Sequence, residues 1–106
     1  MLDELSAKFE LASASYAKAN GVTRDADWFL MKLVEEAGEL VQAANRASGR
    51  SRRKGMDDAA LAQMLADETA DLLGHVLLFA SCHGLDLQAA IQRKWHFVAE
   101  PEATGR

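Results

Sequence analysis

The sequence contains little cysteine, little proline and no long hydrophobic run, and each shortage excludes a class of protein. The single cysteine, Cys82, cannot form an internal disulfide, so nothing in the sequence requires an oxidising compartment. One proline and seven glycines leave little material for a turn-rich β fold. The most apolar run, LLGHVLLFASC, is too short to cross a bilayer, and the N-terminus lacks the hydrophobic segment of a secretory signal. We therefore expect a soluble, cytoplasmic protein with no membrane partner.

An excess of basic residues is also missing. The formal net charge is −4, which argues against a nucleic-acid partner. Hydrophobic residues make up 49% and charged residues 26%, a composition typical of globular proteins. The 106 residues suffice for one domain and are too few for two cores of ordinary size. We expect a single domain over residues 1–106, with its core at about 25–98 and a frayed tail at 101–106.

What the sequence does contain is helical periodicity. Apolar residues recur at intervals of three and four, and capping residues separate the periodic segments, which predicts four α-helices and no strand. The predicted helices run over Leu2–Asn20, Asp25–Ser48, Asp57 or Asp58 to Cys82, and Asp86 to Val98. The predicted fold class is all-α, of the four-helix bundle type.

The same periodicity predicts the face by which each helix packs. On the first helix this face contains Leu5, Phe9, Ala12 and Tyr16. On the second helix the predicted core stripe consists of Phe29, Leu33, Ala37, Leu40 and Ala44, widened by Leu30, Val34 and Val41.

The second half of the third helix predicts an oligomer. From Leu72 to Cys82 almost every residue is apolar or small, around the whole circumference. Such a helix must be covered on all sides, and three other short helices can hardly do this. We expect a homodimer or a homotetramer; the alternative is a compact monomer with exposed apolar surface.

Two pairs of acidic residues lie on the core sides of the second and third helices. Glu36 and Glu39 form one pair and Glu68 and Asp71 the other, each spaced so that its members share a helix face. A short loop should make these helices antiparallel neighbours, so both pairs point to one seam. Four converging carboxylates repel unless they take up protons or bind cations, and such hard oxygen ligands suit Mg²⁺ or Mn²⁺. The alternative is that the acids line a solvated face.

Three further residues flank these pairs. Glu35, about 100° around the helix from Glu36, could supply another ligand or a base for a metal-bound water. His75 lies one turn beyond Asp71 and could orient a ligating carboxylate or reach a phosphate, or it could be a hydrogen-bonded core histidine. Lys32 could contact a phosphate or pair with Glu36.

The remaining candidates for substrate contacts are dispersed along the chain. The loop GRSRRKGMDD carries a basic cluster that includes Arg53; it could bind a polyphosphate, contact a partner subunit or be a solvated connection. Lys94 is a weaker candidate of the same kind. Trp28 could stack on a nucleotide base, although aromatics at helix ends are usually packing residues.

The acidic pattern resembles the motif of the all-α nucleotide pyrophosphohydrolases. It reads Glu35-Glu36-Ala-Gly-Glu39 on one helix and Glu68-Thr-Ala-Asp71 on the next, and the likeness spans about residues 26–96. This superfamily includes MazG-type enzymes, dimeric dUTPases, dCTP pyrophosphatases and phosphoribosyl-ATP pyrophosphohydrolase. The ADLLGH segment is also similar to the corresponding part of the last of these.

The resemblance implies a helical bundle built across subunits, with Mg²⁺ held by Glu36, Glu39, Glu68 and Asp71. It implies hydrolysis of a nucleoside triphosphate to the monophosphate and pyrophosphate. Lys94 fits a basic position that MazG-like proteins often carry on the last helix, but Val98 occupies the place of an expected Asn. The preferred base and sugar therefore stay open.

Three other functions compete with this one. The first is a phosphoribosyl-ATP pyrophosphohydrolase of histidine biosynthesis. The second is a non-catalytic helical oligomerisation module with an inactive metal site. An oxygen-activating di-iron bundle is disfavoured, because the chain offers no Glu-x-x-His motif.

Overall fold

A computed structural model describes residues 1–99, which form four helices. The helices are α1 (Leu2–Asn20), α2 (Ala26–Ala47), α3 (Asp58–Cys82) and α4 (Leu87–Trp95), and residues 1–99 contain no strand. The predicted all-α class is confirmed. The tail predicted at 101–106 lies outside the described residues.

Aspartate caps set the beginnings of three helices. The side chains of Asp25, Asp57 and Asp86 accept hydrogen bonds from backbone N–H groups three residues on, at 2.8, 2.8 and 3.0 Å. Each cap satisfies one of the N–H groups that a helix leaves unpaired in its first turn. These caps explain why the predicted starts of α2, α3 and α4 agree with the structure.

The helix α2 packs along α3, and α1 packs on α3 from another side. Gly74 allows a close approach of α1, because a Cβ at this position would lie 2.6 Å from the Phe9 ring. Arg24 ties α1 to the start of α2: its guanidinium donates to Glu10 at 2.6 and 3.1 Å and lies 5.2 Å from the Phe29 ring centroid. The buried apolar residues are Ala17, Phe29, Ala43, Leu61, Leu77, Leu78 and Ala80.

Two predicted core faces agree with the structure only in part. On α1, Leu5 and Phe9 are half-buried as predicted, whereas Ala12 and Tyr16 are exposed and Ala17 is buried instead. On α2 the predicted stripe is buried at Phe29 and half-buried at its other four positions, and Glu36 and Ala43 are buried beside it. The residues expected to widen the core stripe are exposed instead: Leu30, Val34 and Val41. Thus α2 turns a glutamate toward α3 and an apolar edge toward solvent.

The end predicted for α4 is also wrong. The helix stops at Trp95, and Val98 lies beyond it. His96 adopts the left-handed conformation with φ 64° and donates its backbone N–H to the Gln92 carbonyl, which ends the helix. Within the described residues, no helix combines the length and the apolar character that a membrane span requires.

Candidate metal centre

Five carboxylates meet at the seam between α2 and α3. One group consists of Glu35, Glu36 and Glu39 and the other of Glu36, Glu68 and Asp71; in each group, one oxygen per residue lies within 4.8 Å of the others. Glu36 belongs to both groups and is the most buried of the five, with 7% of its surface exposed. The structure therefore brings the two predicted acidic pairs together and adds Glu35 to them.

The crowding shifts the pKa values of two of these acids. Burial, followed by hydrogen bonding and charge repulsion with Glu39, raises the pKa of Glu36 above its usual value. Burial and Glu39 act in the same way to raise the pKa of Glu68. Without a cation, the cluster therefore holds protons more tightly than isolated carboxylates would.

Lys32 is the cation nearest to the buried glutamate. Its ammonium lies 3.3 Å from a Glu35 oxygen and 3.5 Å from Glu36 Oε1. Burial alone would lower the pKa of Lys32, but hydrogen bonding and attraction by the two glutamates outweigh it and raise the pKa. One ammonium cannot neutralise five carboxylates, so the seam keeps a net negative charge when the acids are ionised.

Two buried oxygens in the cluster have no hydrogen-bond partner within the part of the chain that the structure describes. They are Glu36 Oε2 and Glu68 Oε2. A buried carboxylate oxygen without a partner is costly, and a bound cation would remove that cost. The donors are all hard oxygens on two rigid helices, which fits a divalent ion such as Mg²⁺ or Mn²⁺.

His75 borders the cluster on α3. Its Nε2 lies 3.9 Å from Glu36 Oε1, beyond hydrogen-bond distance, and its buried Nδ1 has no hydrogen-bond partner among residues 1–99. Burial, followed by repulsion from Lys32, lowers the pKa of His75, which disfavours the charged ring. This position suits contact with a ligand better than a charge role.

Trp28 closes the same end of the seam. Its ring packs edge-on to His75 at a centroid distance of 6.1 Å and to Phe29 at 5.1 Å. The Lys32 ammonium lies 5.9 Å from the Trp28 ring centroid. Trp28 is therefore both a packing residue and a neighbour of the acidic cluster.

The other two predicted substrate contacts lie apart from the carboxylates. Arg53 forms an ion pair with Asp58 at the start of α3. Lys94 is exposed on α4, and residues 1–99 show no hydrogen bond or ion pair between it and the cluster. A single chain thus brings together Trp28, Lys32 and His75 with the acids.

Arg46 is not among the residues predicted from the sequence. It follows Glu39 by seven residues on α2, so the two lie on the same helix face, and its guanidinium contacts Met64 Sδ of α3 at 3.7 Å. The spacing of Glu35, Glu39, Gln42 and Arg46 could have revealed this polar stripe.

Comparison with models of known protein families gives a match. A model of the MazG nucleotide pyrophosphohydrolase domain matches residues 26–96, which is more than half of the chain and covers the cluster. No curated protein and no solved structure matches the chain.

Proposed function

The chain belongs to the MazG nucleotide pyrophosphohydrolase domain family, and on that premise we propose that it is a Mg²⁺-dependent enzyme that hydrolyses a nucleoside triphosphate to the monophosphate and pyrophosphate. The observation that carries the proposal is the double carboxylate group around Glu36, whose buried Oε2 lacks a hydrogen-bond partner among residues 1–99. A triphosphate is polyanionic, so a seam of acids can receive it only when divalent cations lie between them.

In this proposal Glu36, Glu39, Glu68 and Asp71 hold the metal, and Mn²⁺ could replace Mg²⁺. The bound ion would neutralise the triphosphate and lower the pKa of an attacking water. Glu36 is central because it alone belongs to both carboxylate groups. Glu39 bridges the two pairs, since its carboxylate interacts with those of both Glu36 and Glu68.

Glu35 is proposed as an accessory ligand or as the base that accepts a proton from the attacking water. It is exposed, unlike Glu36, so water can reach it, and its carboxylate belongs to the same group as those of Glu36 and Glu39. The water oxygen then forms a bond to the α-phosphorus, and the anhydride bond to the β-phosphate breaks. The electron pair leaves with pyrophosphate.

The substrate contacts are proposed at both sides of the acids. Lys32 would exchange part of its pairing with Glu35 for a phosphate oxygen, and Trp28 and His75 would border the nucleoside. Lys94 and Arg53 are proposed as peripheral phosphate contacts, in keeping with their exposed positions.

We also propose that the chain assembles as a homodimer or homotetramer. The exposed apolar edge of α2, formed by Leu30, Val34 and Val41, supports this, as does the exposure of Leu73 on α3. Light scattering should give a mass of two or four chains for the wild type, and Val34→Glu should lower it. A monomeric wild type would refute the assembly without affecting the metal centre.

The reaction is tested by product analysis. The protein is incubated with Mg²⁺ and a panel of nucleoside triphosphates. Phosphoribosyl-ATP is tested in a separate sample, because the ADLLGH segment, which contains His75, resembles the corresponding part of phosphoribosyl-ATP pyrophosphohydrolases. Monophosphate plus pyrophosphate from a triphosphate supports the proposal, whereas turnover of phosphoribosyl-ATP alone supports the histidine-biosynthesis alternative. Nucleoside diphosphate plus phosphate would contradict the bond cleavage. No turnover with any divalent metal would favour a non-catalytic module.

A further inference from the structure

A small cavity lies where α2 ends and the loop to α3 begins. Its volume is about 210 Å³, and it is lined by Gln42, Asn45, Arg46, Ser51, Arg52 and Lys54. All six side chains can donate hydrogen bonds, three of them carry a positive charge, and none is acidic. The charges of Arg46, Arg52 and Lys54 therefore favour an anion close to the cavity.

The backbone holds this part of the loop in place. The Asn45 carbonyl accepts hydrogen bonds from the N–H groups of Arg50 at 2.8 Å and Ser51 at 3.2 Å, which turns the chain back over the end of α2. This return places Arg52 opposite the last turn of α2, where Arg46 lies. The cationic side of the cavity is thus built by a folded segment rather than by an extended connection.

Lys54 has an unfavourable backbone conformation. Its φ is 53° and that of Gly55 is 77°, and the Met56 N–H donates to the Arg53 carbonyl at 3.1 Å. These are features of a type I′ turn, whose first central position favours Asn, Asp or Gly. A lysine in the left-handed region costs energy, and such strain is commonly found at functional positions.

The cations that line the cavity lack acidic partners. Arg53 pairs with Asp58 and does not line the cavity. Arg46, Arg52 and Lys54 form no ion pair with any residue among 1–99. The C-terminal end of α2 would by itself favour Arg46, but Arg52 and Lys54 lie on the loop, so the helix end does not account for them.

The cavity continues the line of the carboxylates. Gln42, which lines it, lies one turn beyond Glu39 on the same face of α2, and Arg46 lies one turn further. At the rise of an α-helix, Arg46 is about 10 Å along the axis from Glu39. This face of α2 therefore carries Trp28 and Lys32 near its start, Glu35 and Glu39 in the middle, and Gln42 and Arg46 beside the cavity at its end.

We propose that this cavity is the subsite for the two terminal phosphates of the substrate, and so for the leaving pyrophosphate. The inference rests on the proposed function and adds a direction to it: the nucleoside lies toward Trp28 and the terminal phosphates toward Arg46, Arg52 and Lys54. The anhydride bond to be broken then lies over the carboxylates. The cations would stabilise the negative charge that builds up on the leaving pyrophosphate.

The test compares two variants of the same loop in the full-length protein with Mg²⁺. Arg52→Gln removes a cation that lines the cavity, whereas Arg50→Gln removes an equal charge from an exposed neighbour that does not. Product inhibition by pyrophosphate and by the nucleoside monophosphate is measured for both. We expect Arg52→Gln to raise the inhibition constant of pyrophosphate about three- to tenfold, the effect of one charge-assisted hydrogen bond in an open site. Inhibition by the monophosphate should not change.

Lys54→Asn removes a second cation without disturbing the fold, because asparagine is favoured at this turn position. A change in pyrophosphate inhibition in this variant therefore cannot be attributed to misfolding. The substitution should weaken pyrophosphate inhibition while the melting temperature stays the same or rises. If Arg50→Gln and Arg52→Gln raised the inhibition constant of pyrophosphate equally, the subsite would be overturned. The effect would then depend on the net charge of the loop and not on the cavity. An unchanged inhibition constant in Arg52→Gln and Lys54→Asn would also overturn it.

Calorimetric titration with pyrophosphate separates this inference from the proposed function. If the wild type hydrolyses no nucleotide, the proposed function fails, yet pyrophosphate binding that is lost in Arg52→Gln and kept in Arg50→Gln would still support the subsite. If hydrolysis occurs but pyrophosphate binding is the same in both variants, the subsite fails and the proposed function stands.

Discussion

The substitution Glu36→Gln should stabilise the metal-free protein while it abolishes activity. Glu36 is buried, and four other carboxylates each lie within 4.8 Å of it in one of the two groups. Glutamine keeps the shape of the side chain but removes the charge. The prediction therefore separates a residue held for function from one held for packing, since loss of a packing residue would destabilise the fold.

The magnitude follows from the distances. At an effective dielectric constant of about 20, two carboxylate charges 4.8 Å apart repel each other by about 3.5 kcal/mol. The Lys32 ammonium, 3.5 Å from Glu36, attracts it by about 5 kcal/mol. Several repulsions thus exceed one attraction, but proton uptake and solvent screening relieve most of the excess. We expect about 1–2 kcal/mol of net stabilisation, within the range seen when strained functional residues are replaced. This corresponds to a rise in Tm of roughly 5–10 °C.

The stability difference between Glu36→Gln and the wild type should depend on pH. Because the pKa of Glu36 is raised in the folded state, the folded protein binds the proton more tightly than the unfolded chain does. The favourable contribution of protonated Glu36 is fully present below the unfolded pKa and is lost as pH rises through the folded pKa. The advantage of Glu36→Gln over the wild type should therefore vanish near pH 4 and grow toward pH 8.

Thermal unfolding followed by circular dichroism, with and without Mg²⁺, checks this. At a Mg²⁺ concentration of 100 times its dissociation constant, the wild type should gain about 2.7 kcal/mol, and Glu36→Gln should gain almost nothing. Glu4→Gln is the matched control, because Glu4 is exposed in the first turn of α1 and its neutralisation should lower Tm slightly. A lower Tm for metal-free Glu36→Gln, or a retained response to Mg²⁺, would refute the reasoning.

Three other predictions concern the rest of the chain. Stabilisation by a fixed Mg²⁺ concentration should increase from pH 5 to pH 8, because the raised pKa values of Glu36 and Glu68 make protons compete with the metal at acid pH; an increase toward low pH in a series of Tm measurements would contradict this. Lys54→Asn should raise the free energy of unfolding by about 1 kcal/mol in urea titrations, since it removes the left-handed lysine, and a loss of stability would argue against strain there. Asp57→Ala should cost about 1 kcal/mol in the same assay by removing the cap of α3, whereas Asp57→Asn should retain most of it.

The helix boundaries could be predicted because their signals are local. Asp57 is followed by helix-forming residues, and Gly84 follows α3 in a left-handed conformation. Both ends of that helix can therefore be predicted from residues next to them in the sequence. The end of α4 carries a weaker signal: His96 takes the left-handed conformation that glycine takes elsewhere in this chain. Periodic apolar residues therefore continued the predicted helix to Val98.

Periodicity predicted only part of the buried face of α2. Phe29 and Leu33 lie on the predicted stripe and are buried or half-buried, yet Val34 is 64% exposed and Glu36 is buried. The acidic pairs indicated the right seam because their spacing on two adjacent helices does not depend on which apolar residues are covered. The cavity beside Arg46 was not predictable, since it depends on hydrogen bonds to a single carbonyl, that of Asn45.

The five carboxylates all belong to one helical hairpin, α2 and α3, and neither α1 nor α4 contributes to them. A bound cation would therefore cross-link two helices that are consecutive in the chain. Amide hydrogen exchange in these two helices would slow together, while α1 would continue to open and close at its own rate. With the cation bound, the hairpin would keep its ligands assembled when α1 detaches, because α1 supplies none of them, so the lifetime of the centre would not be limited by that of the whole fold.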